Sequence, residues 1–210
     1  MNEKTQIVKS SISTYPQHSI QNATLAAALR MQPGQQILSI QQGEEMLHSV
    51  DALPFATGSL DVVVCESVIC YVADAARLIA ECGRVLKPGG QLGVLDTIAP
   101  DKYKAARYCN LFASLRDPRH IWAYNLREWK KMLDGAGLQP GQVQKIAVPQ
   151  MVGVWASGCD EATLLRLRAM LIQAPLPVRE WYGITAQPGW SALADVPFTL
   201  QQGLIVAAKK

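Results

Sequence analysis

A nearly continuous apolar run, an amphipathic helix and a second apolar run follow one another in the middle of the chain, and this order constrains the fold most. The run Leu60–Cys65 is typical of a parallel strand covered on both faces. Asp74 is placed to cap the following helix, whose apolar positions recur at helical spacing until Lys87-Pro88-Gly89-Gly90 ends it. Gln91–Asp96 is the next strand, so the segment is predicted to be a β-α-β unit with a right-handed crossover.

Strand and helix signals alternate along the rest of the chain. A first buried strand ends at Ile40, and Asn125 opens a later helix with a capping box. Val143–Val148 is predicted to be a strand, and Phe198–Ala208 a last strand with a bulge near Gly203. This alternation predicts an α/β fold, and the length of 210 residues predicts a single domain spanning residues 1–210.

Composition excludes several classes of function. With 49% hydrophobic residues, 18% charged residues and a net charge of +3, the chain is typical of a globular protein and is not predicted to bind nucleic acid. Its apolar runs are shorter than the ~20 residues that span a bilayer, and its N-terminal residues lack a signal-peptide core. The five cysteines are interpreted as free thiols in a reducing cytoplasm. Cys65 and Cys70 have no partner at ligand spacing, so no metal site is predicted.

Several motifs occur together and in a consistent order. They are Ala52-Leu53-Pro54-Phe55, Leu60-Asp61-Val62-Val63, the segments 84–90 and 95–100, Leu115-Arg116-Asp117-Pro118-Arg119-His120, Leu126-Arg127-Glu128-Trp129 and Ala136-Gly137-Leu138. In this register the chain resembles the class I S-adenosylmethionine (SAM)-dependent methyltransferases, in particular the UbiE-like, or methyltransferase type 11, branch that methylates small molecules. The resemblance implies a Rossmann-like methyltransferase sheet with a helical cap formed by residues 100–125 and 150–197.

One part of the family pattern is short in this sequence. In the family, the first strand is followed by a glycine-rich loop, a helix, a second strand that ends in an acidic residue, and usually a third strand. Here twelve residues, Gln41–Ala52, fill that space and contain one glycine, Gly43. They suffice for one crossover but not for further strands. We therefore predict a reduced sheet in which the glycine-rich SAM loop and the second strand are deleted.

The residues that hold SAM in the family do not carry over. Ser39 stands where the family usually has an acid that orients the donor, and no Gly-x-Gly follows Ile40. The acid that usually contacts the adenine aligns with Ser49, although Asp51 is close enough to substitute. The resemblance thus predicts no cofactor, with SAM held through Asp51 and Glu66 as the alternative.

The same deletion affects the edge of the predicted sheet. The missing strands flank the first strand in the family, so their loss leaves Ile37–Ile40 at an edge. An apolar edge strand invites pairing with another strand. We expect either a homodimer formed through this edge or an N-terminal arm, residues 1–20, that covers it.

The substrate half of the family pattern is retained. Glu66 and Tyr71 follow a central strand, where open α/β sheets bind ligands, and His120 is the predicted general base near that rim, so Glu66 and His120 are the predicted catalytic residues. The other predicted pocket residues are Cys70, Tyr103, Asn110, Arg116, Tyr124, Trp155 and Trp181. Simpler interpretations remain open: His120 as a solvated histidine, the aromatic residues as packing groups, and Arg116 as one partner of an ion pair at a helix end.

Three functions are consistent with these observations. The first is a methyltransferase-like protein that binds a hydrophobic small molecule without SAM and catalyses a step such as a cyclisation or isomerisation in small-molecule biosynthesis. The second is an active SAM-dependent methyltransferase with a rebuilt donor site. The third is a non-catalytic partner subunit or regulatory protein.

Overall fold

The protein forms a six-stranded mixed sheet with helices on both faces, in a computed structural model that describes residues 11–14, 23–41, 52–185 and 195–210. The strand order is β1-β2-β3-β4-β6-β5. The strands are β1 Ser11–Thr14, β2 Gln36–Gln41, β3 Leu60–Glu66, β4 Leu86–Thr97, β5 Leu138–Met151 and β6 Pro197–Lys209. The helices are α1 Ala23–Leu29, α2 Ala75–Val85, α3 Tyr103–Arg116, α4 Leu126–Gly135, α5 Val152–Trp155, α6 Glu161–Ile172 and α7 Leu176–Trp181, with a 3-10 turn at Ile69–Tyr71. The predicted α/β fold class is confirmed.

The predicted β-α-β unit forms the centre of the sheet. β2, β3 and β4 are parallel, and Asp74 caps α2 by accepting a hydrogen bond from the Arg77 N–H at 2.9 Å. Apolar residues of α2 and α4 pack on one face of the sheet, against β-strand residues such as Val63 and Cys65. α1 packs on the opposite face against Val62 and Val64. The alternation of side chains along β3 therefore explains why this strand reads as a continuous apolar run.

β6 runs antiparallel to β4 and β5 without the bulge that we predicted near Gly203. Gly203 pairs with Asp96 on one side and Lys145 on the other in continuous register, and the irregularity lies instead between Pro140 and Gln142. A Cβ atom at position 203 would lie 2.7 Å from Cγ2 of Ile98. The glycine is therefore explained by close packing against Ile98.

The first parallel strand is covered on its outer side. β1 pairs antiparallel with β2, from Ser11 opposite Ser39 to Thr14 opposite Gln36. The strand Ile37–Ile40 is consequently next to the edge and not at it, because the short β1 satisfies its outer backbone groups. Residues 11–14 thus cover the outer side of β2; the rest of the predicted arm, residues 1–20, lies outside the described part of the chain.

The helices that follow β4 and β5 form their own packed cluster above the carboxyl ends of the parallel strands. Its centre is Phe112 of α3, which is fully buried and lies 4.9 Å from the Trp155 ring and 5.6 Å from the Phe198 ring, centroid to centroid. Apolar residues of α5, α6 and α7 pack around it. Within the described residues, no helix has the length and apolarity needed to cross a membrane.

Candidate functional site

A cavity of about 310 Å³ lies where the carboxyl ends of β3 and β4 meet the helical cluster. Ser67 and the 3-10 turn form one wall, β4 and β6 contribute the floor, and α3 and α5 close the opposite side. The polar or ionisable side chains that line it belong to Ser67, Cys70, Tyr71, Asp96, Thr97, Cys109, Arg116, His120, Tyr182 and Gln202. This location is the one where open α/β sheets bind ligands.

Asp96 fixes the wall of the cavity that carries Cys70 and Tyr71. Its Oδ2 accepts a hydrogen bond from the Ile69 N–H at 2.7 Å, and its Oδ1 accepts one from the Thr97 N–H at 2.7 Å. Burial raises the pKa of Asp96, and the donors around it oppose that shift. The carboxyl group therefore acts as a brace between the end of β4 and the 3-10 turn.

Asn110 holds a buried histidine from the opposite side. Its Oδ1 accepts hydrogen bonds from the Ala123 N–H at 2.6 Å and lies 2.8 Å from Nε2 of His120, while its Nδ2 donates to the Ala106 and Ala123 carbonyls at 3.0 and 3.3 Å. Since the backbone N–H can only donate, the amide orientation is determined. Nε2 of His120 must then be the protonated nitrogen that donates to Asn110, which leaves the lone pair on Nδ1.

His120 is neutral at physiological pH. Only 7% of the residue is exposed, and burial lowers its pKa from 6.5 to about 4. Its ring meets the edge of the Tyr71 ring at 5.9 Å, and burial raises the pKa of Tyr71 to about 12. The interpretation of His120 as a solvated surface histidine is therefore wrong, because the return of the chain after α3 places the ring beside Tyr71 and Asn110. At neutral pH the cavity presents an imidazole acceptor and a phenol.

Arg116 supplies a positive charge to the cavity. Its Nε donates to the Trp155 carbonyl at 2.9 Å, and its guanidinium carbon lies 4.6 Å from the centre of the Trp155 ring. The neighbouring carboxylate of Asp117 is bound instead by Arg119, whose Nε and a terminal nitrogen each lie 2.9 Å from an Asp117 oxygen. That pairing lowers the pKa of Asp117 to about 2. The ion pair at the end of α3 thus uses Arg119 and not Arg116.

The cavity brings together some of the predicted site residues and not others. Tyr71, Arg116, His120 and Trp155 line it, as does Cys70. Asn110 lies directly behind His120. These residues come from separate loops and helices, so their convergence is a property of the fold.

Four predicted residues lie elsewhere. Glu66 is buried at the end of β3, on the strand face of Val62 and Val64, and is not among the cavity-lining residues. Tyr103 is 69% exposed at the start of α3 and contacts Trp122.

Tyr124 packs against Trp129, and the centres of the two rings lie 6.4 Å apart. The chain between α3 and α4 directs the Tyr124 side chain to the core under α4. Trp181 has its ring beneath Lys145 Nζ, 5.2 Å away. Asp51 lies outside the described residues.

Sequence reasoning missed the residues that brace the cavity or enter it from late in the chain. Asp96 carried a signal, because it ends a predicted central strand at the edge where ligands bind. The other three residues carried no such signal in the sequence. Cys109 lies inside helix α3, Tyr182 follows the short helix α7, and Gln202 lies in the antiparallel strand β6. The five cysteines are free thiols. Among the described residues, no group of three or more His, Cys, Asp or Glu side chains is arranged to hold a metal ion.

A larger cavity of about 490 Å³ lies between the end of β5 and the start of β6. It is lined by apolar side chains, glycine, Gln150 and two threonines, without a titratable group among the described lining residues. One of its lining residues, Thr185, directly precedes residues 186–194 in the sequence, which the structure does not describe. The smaller cavity, with its arginine and histidine, is therefore the better candidate for chemistry.

Comparison with known proteins shows similarity to methyltransferases. A family model described as a methyltransferase domain matches residues 15–94. The uncharacterized methyltransferase YcgJ of Bacillus subtilis is 28% identical over 131 residues, which make up 62% of this chain and 50% of YcgJ. The solved structure of YcgJ superposes with a TM-score of 0.70 and 26% identity, covering 76% of this chain and 68% of that chain. The family model covers 80 of the 210 residues, and together these matches support the resemblance to class I SAM-dependent methyltransferases.

Two further proteins are similar to this chain, one in sequence and one in fold. The uncharacterized protein YafE of Escherichia coli is 26% identical over 136 residues, 64% of this chain and 66% of YafE. The structure of BH2331 from Bacillus halodurans matches in fold with a TM-score of 0.68 and 23% identity, covering 75% of this chain and 73% of that one. The chain spans half the length of YcgJ in the sequence alignment.

The superfamily uses SAM, and the comparisons do not support our prediction that this chain uses no cofactor. In this fold the donor would lie at the carboxyl end of β2, where Gln41 is in register with Glu66 of β3. Ser39 of β2 is buried, and its hydroxyl has no hydrogen-bond partner among the described residues. The residues that follow, 42–51, lie outside the described part of the chain. The described residues at this end therefore offer Glu66 as the acidic group that a donor would meet.

Proposed function

We propose that this methyltransferase-superfamily chain binds a small organic molecule in the 310 Å³ cavity and promotes a reaction there that does not need SAM. The observation that carries the proposal is the convergence of Arg116, His120 and Tyr71 with an aromatic wall in one enclosed space. The lining combines polar and ionisable side chains with apolar ones such as Ile98 and Leu200, so the cavity can both orient and enclose a small molecule. The cavity volume is at the lower end of the usual range of about 300–1,000 Å³.

Two observations support a reduced donor site. The link from β2 to the Leu53-Pro54-Phe55 motif consists of residues 42–52 and contains Gly43 as its one glycine. The outer side of β2 pairs with the antiparallel strand β1. In the family, a parallel strand that ends in an acidic residue is expected on that side. Both argue that the adenosine-binding half of the family site is shortened.

The chemistry of the retained half does not depend on a methyl donor. A bound molecule would meet the Nδ1 lone pair of His120, which is fixed by the Asn110 hydrogen bond on the other side of the ring. Because its pKa is about 4, the imidazole of His120 accepts a hydrogen bond at neutral pH but does not readily take up a proton. It would therefore orient and polarise an O–H, N–H or S–H group of the ligand. Positioning of this kind accelerates intramolecular steps.

The alternative is an active SAM-dependent methyltransferase. It is favoured by the family model, which extends over residues 15–94 and so includes β2, its connection to β3 and most of the β-α-β unit. In that case Glu66 and residues of the undescribed segment, including Asp51, would hold the donor. The cavity would then be the acceptor site.

Calorimetric titration with SAM and with its demethylated product separates these two functions. We expect no saturable binding, or binding much weaker than micromolar, because one side of the donor site is occupied by β1. A dissociation constant in the low micromolar range corresponds to about −8 kcal/mol and would make the active methyltransferase the preferred function. Glu66→Gln is the matched variant, since it should abolish such binding if Glu66 is a donor ligand.

A further inference from the structure

We infer that the cavity selects an anionic ligand, a small carboxylate with a partly apolar body, and that Arg116 is the residue that recognises it. This inference deepens the proposed function and rests on it, because it names the class of molecule that would occupy the same cavity. It is carried by the charge distribution around the cavity and by the way in which Arg116 is held.

Within the described part of the chain, the charge of Arg116 has no carboxylate partner. Among the described residues its one hydrogen bond is from Nε to the Trp155 carbonyl, and no carboxylate lies within ion-pair distance. The adjacent Asp117 is occupied by two charge-assisted hydrogen bonds from Arg119 and one from the Arg119 backbone N–H. The helix-end ion pair that could have neutralised Arg116 is therefore formed by a different arginine.

The other ionisable groups of the cavity do not neutralise Arg116 either. Both carboxylate oxygens of Asp96 accept backbone hydrogen bonds, and the residue is 1% exposed. His120 is uncharged, and burial raises the pKa of the Tyr71, Cys70 and Cys109 groups, which stay protonated. An anion entering the cavity would thus meet a positive charge.

Arg116 is also pre-organised for a carboxylate. Its Nε bond to the Trp155 carbonyl and its position over the Trp155 ring fix the plane of the guanidinium group. The two terminal nitrogens remain for a ligand, and their parallel N–H groups match the two oxygens of a carboxylate. Because the side chain is already held, little conformational entropy is lost when it binds.

The remaining walls specify the rest of the ligand. Ile98, Ala113, Ala123 and Leu200 present apolar surface, and the volume of about 310 Å³ admits one ring or a short branched chain. Ser67, Thr97 and Gln202 add neutral polar groups, and His120 offers an acceptor for one further polar hydrogen. The structure thus describes a small acid whose body has an apolar part and room for hydrogen-bonding groups.

The experiment compares matched pairs of probes on the full chain. Phenylacetate and 3-phenylpropionate are titrated beside their carboxamides, which have the same shape but no charge, and binding is followed by the indole N–H resonance of Trp155, assigned with Trp155→Phe. We expect each acid to bind at least about tenfold more tightly than its amide. This comparison uses the unaltered protein and does not depend on the folding of a variant.

Variants then assign the effect to one side chain. Arg116→Gln should weaken acid binding by about tenfold or more and leave amide binding unchanged, while Arg116→Lys should retain part of the preference. The matched control is Arg107→Gln, an exposed arginine on the same helix that does not line the cavity and should behave like the unaltered protein. Melting temperatures check that each variant is folded.

The outcomes separate this inference from the proposed function. Equal binding of acid and amide overturns anion recognition and leaves the small-molecule cavity standing. An acid preference that survives Arg116→Gln overturns the role of Arg116. Displacement of the acid by SAM, which also carries a carboxylate, overturns the assignment to a substrate. Failure of all probes to perturb Trp155 up to about 10 mM overturns both the inference and the proposed cavity.

Discussion

Replacing His120 with glutamine should flatten the pH dependence of stability, because His120 is a buried histidine that folding keeps neutral. Its pKa is about 4 in the folded protein and 6.5 when exposed. Between these values the unfolded chain binds more protons than the folded chain, so stability rises with pH across this window. The contribution of His120 is fully present above pH 6.5 and is lost as the pH falls toward 4.

The size of the effect follows from the shift in pKa. A difference of 2.5 pKa units corresponds to about 3 kcal/mol of the free energy of unfolding at pH 4, and to about 2 kcal/mol at pH 5. The residue is 7% exposed, so solvent screening reduces this value little. Glutamine keeps a donor where Nε2 of His120 meets Oδ1 of Asn110 but does not titrate.

The assay is urea denaturation of both proteins at pH 7, 5 and 4. The free energy of unfolding of the unaltered protein should fall by about 2 kcal/mol relative to His120→Gln at pH 5 and by about 3 kcal/mol at pH 4. Carboxylates and the other histidines titrate in both proteins and cancel in this difference. Parallel pH profiles, or a His120 NMR titration midpoint near 6.5, would refute the assignment of a buried neutral imidazole.

Three further outcomes test the packing around the site. Asn110→Ala should lower the free energy of unfolding by about 3 kcal/mol, measured by urea denaturation, because it leaves the buried Ala123 N–H and the His120 ring without an acceptor. Gly83→Ala should cost about 1–3 kcal/mol, since its Cβ would lie 2.6 Å from the Ala136 carbonyl oxygen, whereas the helical control Gly135→Ala has open space and should be neutral or slightly stabilising. Deletion of residues 1–18 removes β1, so light scattering should show dimers or the melting temperature should fall; an unchanged monomer with an unchanged melting temperature would contradict the role of β1 at this edge.

Much of the fold was predictable because its signals are local. The β-α-β unit is encoded by one apolar run, one capped amphipathic helix and one glycine-rich stop. Asn125 forms the predicted capping box with Glu128. The lengths of β5 and β6 were underestimated, because the thirteen-residue β6 lies between two strands, and its partners extend it beyond the apolar positions that mark it in the sequence.

The candidate site was predictable in residue type and only in part in position. The sequence pattern indicated a histidine, an arginine and aromatic residues near the carboxyl ends of the central strands. It could not separate Arg116 from Arg119, because either can reach Asp117 from a helix end. It also grouped Tyr103 and Tyr124 with the cavity, although one faces solvent and the other faces the core under α4.

By itself, the sequence determined the order of strands and helices, the capped helices and the resemblance to methyltransferases, all of which depend on local pattern. The tertiary structure decided which side chains meet. Asn110 and His120 are joined by a hydrogen bond across ten residues, and Arg116 is oriented by a carbonyl 39 residues away. The covering of β2 by β1 likewise joins distant segments. Such contacts depend on how whole helices pack on the sheet, and no spacing of residues along the chain encodes that packing directly.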